Sequence, residues 1–111
     1  MSAEQFEKIL NVICKAYNIT KEELLSKNRS GMVSLARHTL YRSLTHMGLN
    51  LPETGRATGR DHATVRHGIK VYKNMYETDE IFRLKSQSIR EKIKQIAHED
   101  WQKYTTKVRK G

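Results

Sequence analysis

One cysteine, Cys14, and one proline, Pro52, occur in 111 residues. A lone cysteine excludes an intramolecular disulfide and a cysteine-based zinc site. Lying one position from an apolar stripe, Cys14 reads as a small, partly buried filler. With a single proline and only six glycines, long segments run without a breaker, which favours helices. No stretch alternates apolar and polar residues as a half-buried strand would; apolar positions recur every three or four residues instead. No run approaches the roughly 18 apolar residues needed to span a membrane. The N-terminus carries Glu4 and Glu7 where a secretory signal needs positive charge and then an apolar run. An intracellular chain with no membrane partner is expected, of a length that suits one domain.

Clusters that carry chemistry are equally scarce. No glycine-rich phosphate loop with its lysine is present, so this chain has no such means of hydrolysing ATP. His62 and His67 are five positions apart, which does not place them on one helical face, and no carboxylate or cysteine completes a metal set. His38 and His46 read as partly exposed helix residues. Nothing sets a serine beside a base or pairs carboxylates in a pocket. The expectation is no catalytic residue, no metal and no cofactor, and a chain that is not an enzyme.

Positive charge is abundant and unevenly spread. The formal net charge is +9, from 21 Lys and Arg against 12 Asp and Glu. Residues 1–26 carry a net of −1, whereas residues 27–74 carry nine basic residues against only Glu53 and Asp61, a net of +7. Residues 75–111 add +3. Such a concentration suits a polyanionic partner.

Periodicity and capping signals divide the chain into about six helices. Phe6, Ile9, Leu10, Ile13 and Tyr17 share one face of a helix over about Ala3–Tyr17, closed by Asn18. Thr20 and Glu23 form a capping box between the staple residues Ile19 and Leu24, opening a short helix over about Lys21–Ser26. Lys27–Gly31 is a polar, basic loop. A helix over about Met32–Met47 turns Val33, Ala36, Leu40, Leu44 and Met47 inward and ends at Gly48 in the left-handed conformation. Asn50 caps the next helix, with Pro52 in its first turn and Glu53 completing a box; it ends near Thr58. Gly59 turns, and Asp61 caps a fifth helix to about Tyr76. Glu77–Asp79 breaks it before a sixth helix over about Glu80–Trp101. Phe82, Ile89, Ile93 and Ile96 form the stripe of that helix, read as core packing ahead of a dimer seam. Trp101 is expected to cover a core edge or sit in a contact, and Lys103–Gly111 to fray.

A helix, a tight glycine-containing turn and a second helix outline a helix-turn-helix. On the second helix Val65, Ile69, Tyr72 and Tyr76 fall in a narrow arc that must face the core. Ala63, Arg66, His67, Lys70 and Asn74 lie broadly opposite, a face with donors and no acid. The first turn holds Asp61, His62, Ala63 and Thr64. In a recognition helix that turn reaches base edges: a carboxylate accepts from a cytosine amino group, a threonine offers hydroxyl and methyl, and a histidine donates or accepts.

Gly59-Arg60-Asp61-His62-Ala63-Thr64-Val65-Arg66-His67 resembles the signature of the DnaA C-terminal DNA-binding domain family. Leu24-Leu25-Ser26-Lys27, Ala36-Arg37 and Leu51-Pro52-Glu53-Thr54-Gly55 follow the family's order. The match covers about Ile9–Tyr76. It implies an all-α, Trp-repressor-like helix-turn-helix domain over residues 1–76; the C-terminal helix and basic tail over residues 77–111 are read as an extension beyond the match. It implies duplex DNA as partner, with a short A/T-leaning DnaA box as target, in replication initiation or its regulation. Arg29 would enter the minor groove, while Asp61, His62, Ala63 and Thr64 read the major groove. Lys27, Arg37, Arg60, Arg66 and Lys70 would hold phosphates, as would amides near Leu51 and Glu53. Ala63 stands where the family has a threonine, which removes one base-directed hydroxyl. The location implied is cytoplasmic and nucleoid-associated, for a free-standing binder or a domain of a longer initiator. A homodimer through the C-terminal helix and contacts with other replication proteins stay open. Two alternatives also stay open: a Trp-repressor-like transcriptional regulator acting as a dimer, and a helical protein-interaction adaptor.

Overall fold

Six helices form where local signals start and stop them. The computed structural model describes residues 1–110, with side chains through Glu99. Helix α1 spans Ala3–Tyr17. Ser2 and Gln5 cap its start reciprocally, and Asn18 closes it in the left-handed region at φ 54°. α2, Lys21–Leu25, begins in the Thr20–Glu23 capping box. α3, Gly31–His46, starts one residue earlier than its apolar pattern suggests, because Ser30 caps it by accepting from Val33 N. Beyond His46 the chain makes a Schellman turn: Gly48 takes φ +107°, its amide bonds Thr45 O, and Leu49 N bonds Leu44 O at 3.2 Å.

α4, Leu51–Thr58, carries the Asn50–Glu53 box and the proline in its first turn. α5, His62–Thr78, is capped by Asp61. The break expected over three residues narrows to Asp79, which ends α5 and whose carboxylate accepts from Phe82 N at the start of α6. α6 spans Glu80–Lys110. It runs past Trp101 through the tail expected to fray, and no glycine or proline interrupts it before Gly111. The role expected for Trp101 lies outside the described side chains.

The core is one cluster. Ile9, Leu10, Ile13 and Tyr17 of α1 pack with Leu24, with Ala36, Leu40 and Leu44 of α3, and with Tyr72 of α5. Phe82, Ile89, Ile93 and Ile96 of α6 belong to the same cluster, so the α6 stripe is spent on the core, and residues 80–96 pack as part of this body. Cys14 is free and half-buried against it. Tyr17 shares a buried hydrogen bond of 3.2 Å with Thr39 and supports Lys85 over its ring. No helix among the described residues is long and apolar enough to cross a membrane.

Gly68 sets how closely α3 and α5 approach. A Cβ there would lie 2.6 Å from Tyr41 Cδ2 and 2.7 Å from His38 Nδ1. Neither distance leaves room for a methyl group, so the two helices meet at this glycine.

Candidate nucleic-acid interface

The helix-turn-helix is built from α4, the turn Gly59–Asp61 and α5. Gly59 turns at φ 71°, and Arg60 N donates to Gly55 O at 2.8 Å. Gly55 is required for a separate reason: a Cβ there would collide with the carbonyl oxygen of Arg60. The turn can therefore fold tightly onto α4, which fixes the direction in which α5 departs.

The first turn of α5 is open to solvent. Asp61, His62, Ala63 and Thr64 are all exposed, while Val65 behind them is fully buried. Asp61 Oδ1 accepts from Thr64 N at 2.7 Å. Hydrogen bonding from Thr64 holds the Asp61 carboxyl below its ordinary value, so this cap is anionic at neutral pH and points its charge at the positive end of the helix. Further along, Arg66, His67, Lys70, Lys73 and Asn74 are exposed, whereas Tyr72 is buried and Ile69 and Tyr76 are half-buried. The helix therefore shows one apolar side and one basic, donor-rich side.

The basic loop lies beside that turn. Lys27, Asn28, Arg29 and Ser30 are exposed, and the loop is shaped by Asn28 N bonding Ser26 Oγ at 3.1 Å and Ser30 N bonding Asn28 Oδ1 at 2.8 Å. Two arginines hold it from below. Arg37 is 8% exposed. It donates from Nε to Leu24 O at 3.0 Å, from Nη1 to Asn28 O at 3.0 Å and from Nη2 to Glu23 O at 3.4 Å. Arg60 donates from Nη2 to Ser26 O. Because α2 is only five residues long, its last carbonyls need partners, and these guanidinium groups supply them.

Arg37 is therefore an organiser of the loop in this conformation, not a free phosphate donor. Burial, and then the Arg60 charge, lower its pKa, with the Tyr41 phenol acting in the opposite sense. Arg60, half-buried, ties the recognition turn to the loop. Sequence reasoning missed both arginines' ties because none of the four partner carbonyls has a residue-type signature. The α4 amides divide as well: Glu53 N is taken by Asn50 Oδ1 at 2.8 Å. Lys27, Arg29, Arg66 and Lys70 are exposed and form no ion pair among the described residues.

Electrostatically the region is uncompensated. The ion pairs among the described residues join Lys8 to Glu4, Lys21 to Glu7 and Lys94 to Glu91. All lie outside residues 27–74, so none of the nine cations there is neutralised by a described carboxylate. No group of three or more His, Cys, Asp or Glu among the described residues is arranged to hold a metal.

Comparison with known proteins agrees with this geometry. Residues 6–71 match the family described as the bacterial dnaA protein helix-turn-helix. The chromosomal replication initiator protein DnaA of Pseudothermotoga lettingae is 38% identical over 65 residues, 58% of this chain and 15% of that protein. The same-named protein of Streptococcus pyogenes serotype M4 is 35% identical over 98 residues, 85% of this chain and 21% of its own length. That of Streptococcus thermophilus is 34% identical over 90 residues, 79% and 20% respectively. The chain thus spans 15–21% of the length of these curated relatives. An alignment covering 85% of the chain is longer than residues 1–76, so the likeness continues into α6.

Proposed function

Because this chain belongs to the bacterial DnaA helix-turn-helix family, we propose that it binds double-stranded DNA sequence-specifically in replication initiation or its regulation, with a DnaA-box-like target. The observation that carries the proposal is one juxtaposition. An exposed first turn of α5 sits beside an exposed basic loop, and Arg60 joins the two by bonding Ser26 O. Residues 1–76 supply this reading unit and residues 77–111 extend it.

The division of labour follows from chemistry. His62 and Thr64 present hydrogen-bonding groups to base edges, Ala63 offers a methyl to thymine, and Asp61 accepts from a base amino group while capping α5. Arg29 enters the adjoining minor groove, where A/T-rich narrowing strengthens the potential felt by a guanidinium. Lys27, Arg66 and Lys70 hold phosphates and set the register. Arg60 and Arg37 hold the loop in place. Arg29 and the α5 turn then address neighbouring grooves at a fixed separation. No step of this binding calls for catalysis.

Selection of binding sites from a random duplex pool tests the proposal, and an A/T-leaning consensus like a DnaA box is the expected result. If four to six phosphates are neutralised, log affinity falls against log salt with a slope of about −4 to −5. A slope near zero and no enriched sequence would favour a protein-interaction adaptor instead.

A further inference from the structure

Away from the reading turn, the last part of α3 and the middle of α6 enclose a cleft lined by Arg42, His46, Tyr72, Ser86 and Arg90. Tyr72 lies ten residues beyond His62, about 15 Å along the helix axis. Ser86 and Arg90 also lie outside the residues matched to the helix-turn-helix family. Three observations mark the cleft. Ser86 is 2% exposed, yet its hydroxyl has no hydrogen-bond partner. A mid-helix serine commonly resolves this by bonding the carbonyl four residues back; this one does not. Arg42 and Arg90, both half-buried, carry no ion pair among the described residues. The hydrogen bond made by Arg42 is a long one, 3.4 Å to Thr45 Oγ1. Finally, partial desolvation and then the charges of Arg42, Arg90 and Lys94 hold the His46 imidazole below its ordinary value, so three cations bear on this side chain.

We propose that this cleft is a phosphate-binding site, in which Arg42 and Arg90 grip the anion and the Ser86 hydroxyl donates to it from the floor. The donor set suits a tetrahedral oxyanion, which takes several charge-assisted hydrogen bonds at once. It does not suit a nucleobase, because the Tyr76 ring at the rim is already stacked on Tyr72 and covered by Arg90, 5.7 Å from its centroid. Nearby carboxylates do not neutralise the arginines: Glu91 pairs with Lys94 at 3.8 Å, and Glu77, which lines the adjoining groove together with Lys73, Arg42 and Arg90, forms no ion pair among the described residues. The phosphate belongs either to the backbone of a bound duplex or to a separate phosphate-bearing molecule.

Titration of the full chain with inorganic phosphate at constant ionic strength, followed by amide and arginine Nε NMR signals, tests the site without relying on the DNA reading. Saturable shifts are expected at Ser86, Arg90 and Arg42 and none at Thr64. Arg90→Gln should weaken the response about tenfold or more. Ser86→Ala should weaken it roughly three- to tenfold while raising the thermal midpoint, because it deletes a buried hydroxyl that the fold leaves unpaired. A midpoint that falls with the phosphate response intact would overturn the role of Ser86. Shifts that are absent, or spread evenly over the basic surface, would overturn the site. Duplex binding then separates the sources. A salt slope reduced by about 0.9 in Arg90→Gln assigns the phosphate to DNA, and an unchanged slope assigns it to another molecule.

Discussion

Thr64 and His62 occupy one exposed helical turn over a buried valine, so their side chains can be changed without touching the core. Replacing either with alanine is expected to reduce discrimination between the selected site and a scrambled duplex by about 1–3 kcal/mol, with the thermal melt unchanged. Equal loss on both duplexes would mean that α5 does not read bases. Arg37 behaves differently. Its alanine variant strands the carbonyls of Leu24 and Asn28, and urea unfolding should show a loss on the order of 1–3 kcal/mol. Undiminished stability would return Arg37 to the surface role its sequence position suggests. The contrast explains what was legible at this scale. Exposed readers follow from residue type and helical phase, whereas an arginine facing main-chain carbonyls looks from sequence like any other cation of the basic segment.

Among the elements, the helix ends carried the clearest local signals. Thr20–Glu23 and Asn50–Glu53 form reciprocal caps, Gly48 and Gly59 supply left-handed turns, and Asp61 opens α5. These are interactions between residues one turn apart, so they survive without knowledge of the fold. Gly68 is the counter-example. Mid-helix, it looks like a local weakness; in the structure it admits Tyr41 and His38 to the backbone of α5. Gly68→Ala would normally favour a helix, but here it should destabilise the fold by about 1–3 kcal/mol through overpacking, measured by chemical denaturation. A stabilised variant would show that α3 and α5 do not pack this closely.

Across the whole molecule, His38 links packing to pH. Burial, with further contributions from His67 and Arg37, depresses its pKa in the fold, so the unfolded chain takes up the proton first. Its contribution to stability is complete above the ordinary imidazole value of about 6.5 and is lost as pH falls through that value toward the depressed one. His46 acts in the same sense. Thermal midpoints should therefore drop between pH 7.5 and 5, and His38→Gln should flatten part of that slope. A wild-type midpoint rising on acidification over this range would contradict the burial. The sequence by itself determined the helix count, the caps, the apolar faces, the basic segment and the family, because each is written in short-range periodicity or in residue identity along the chain. Only the tertiary structure decided that α6 completes the same core, that Arg37 and Arg60 brace the loop, and that Ser86 lies unpaired beneath Arg42 and Arg90. Those outcomes depend on which buried polar groups meet across distant elements, and the desolvation that makes such meetings necessary exists only once the helices have packed.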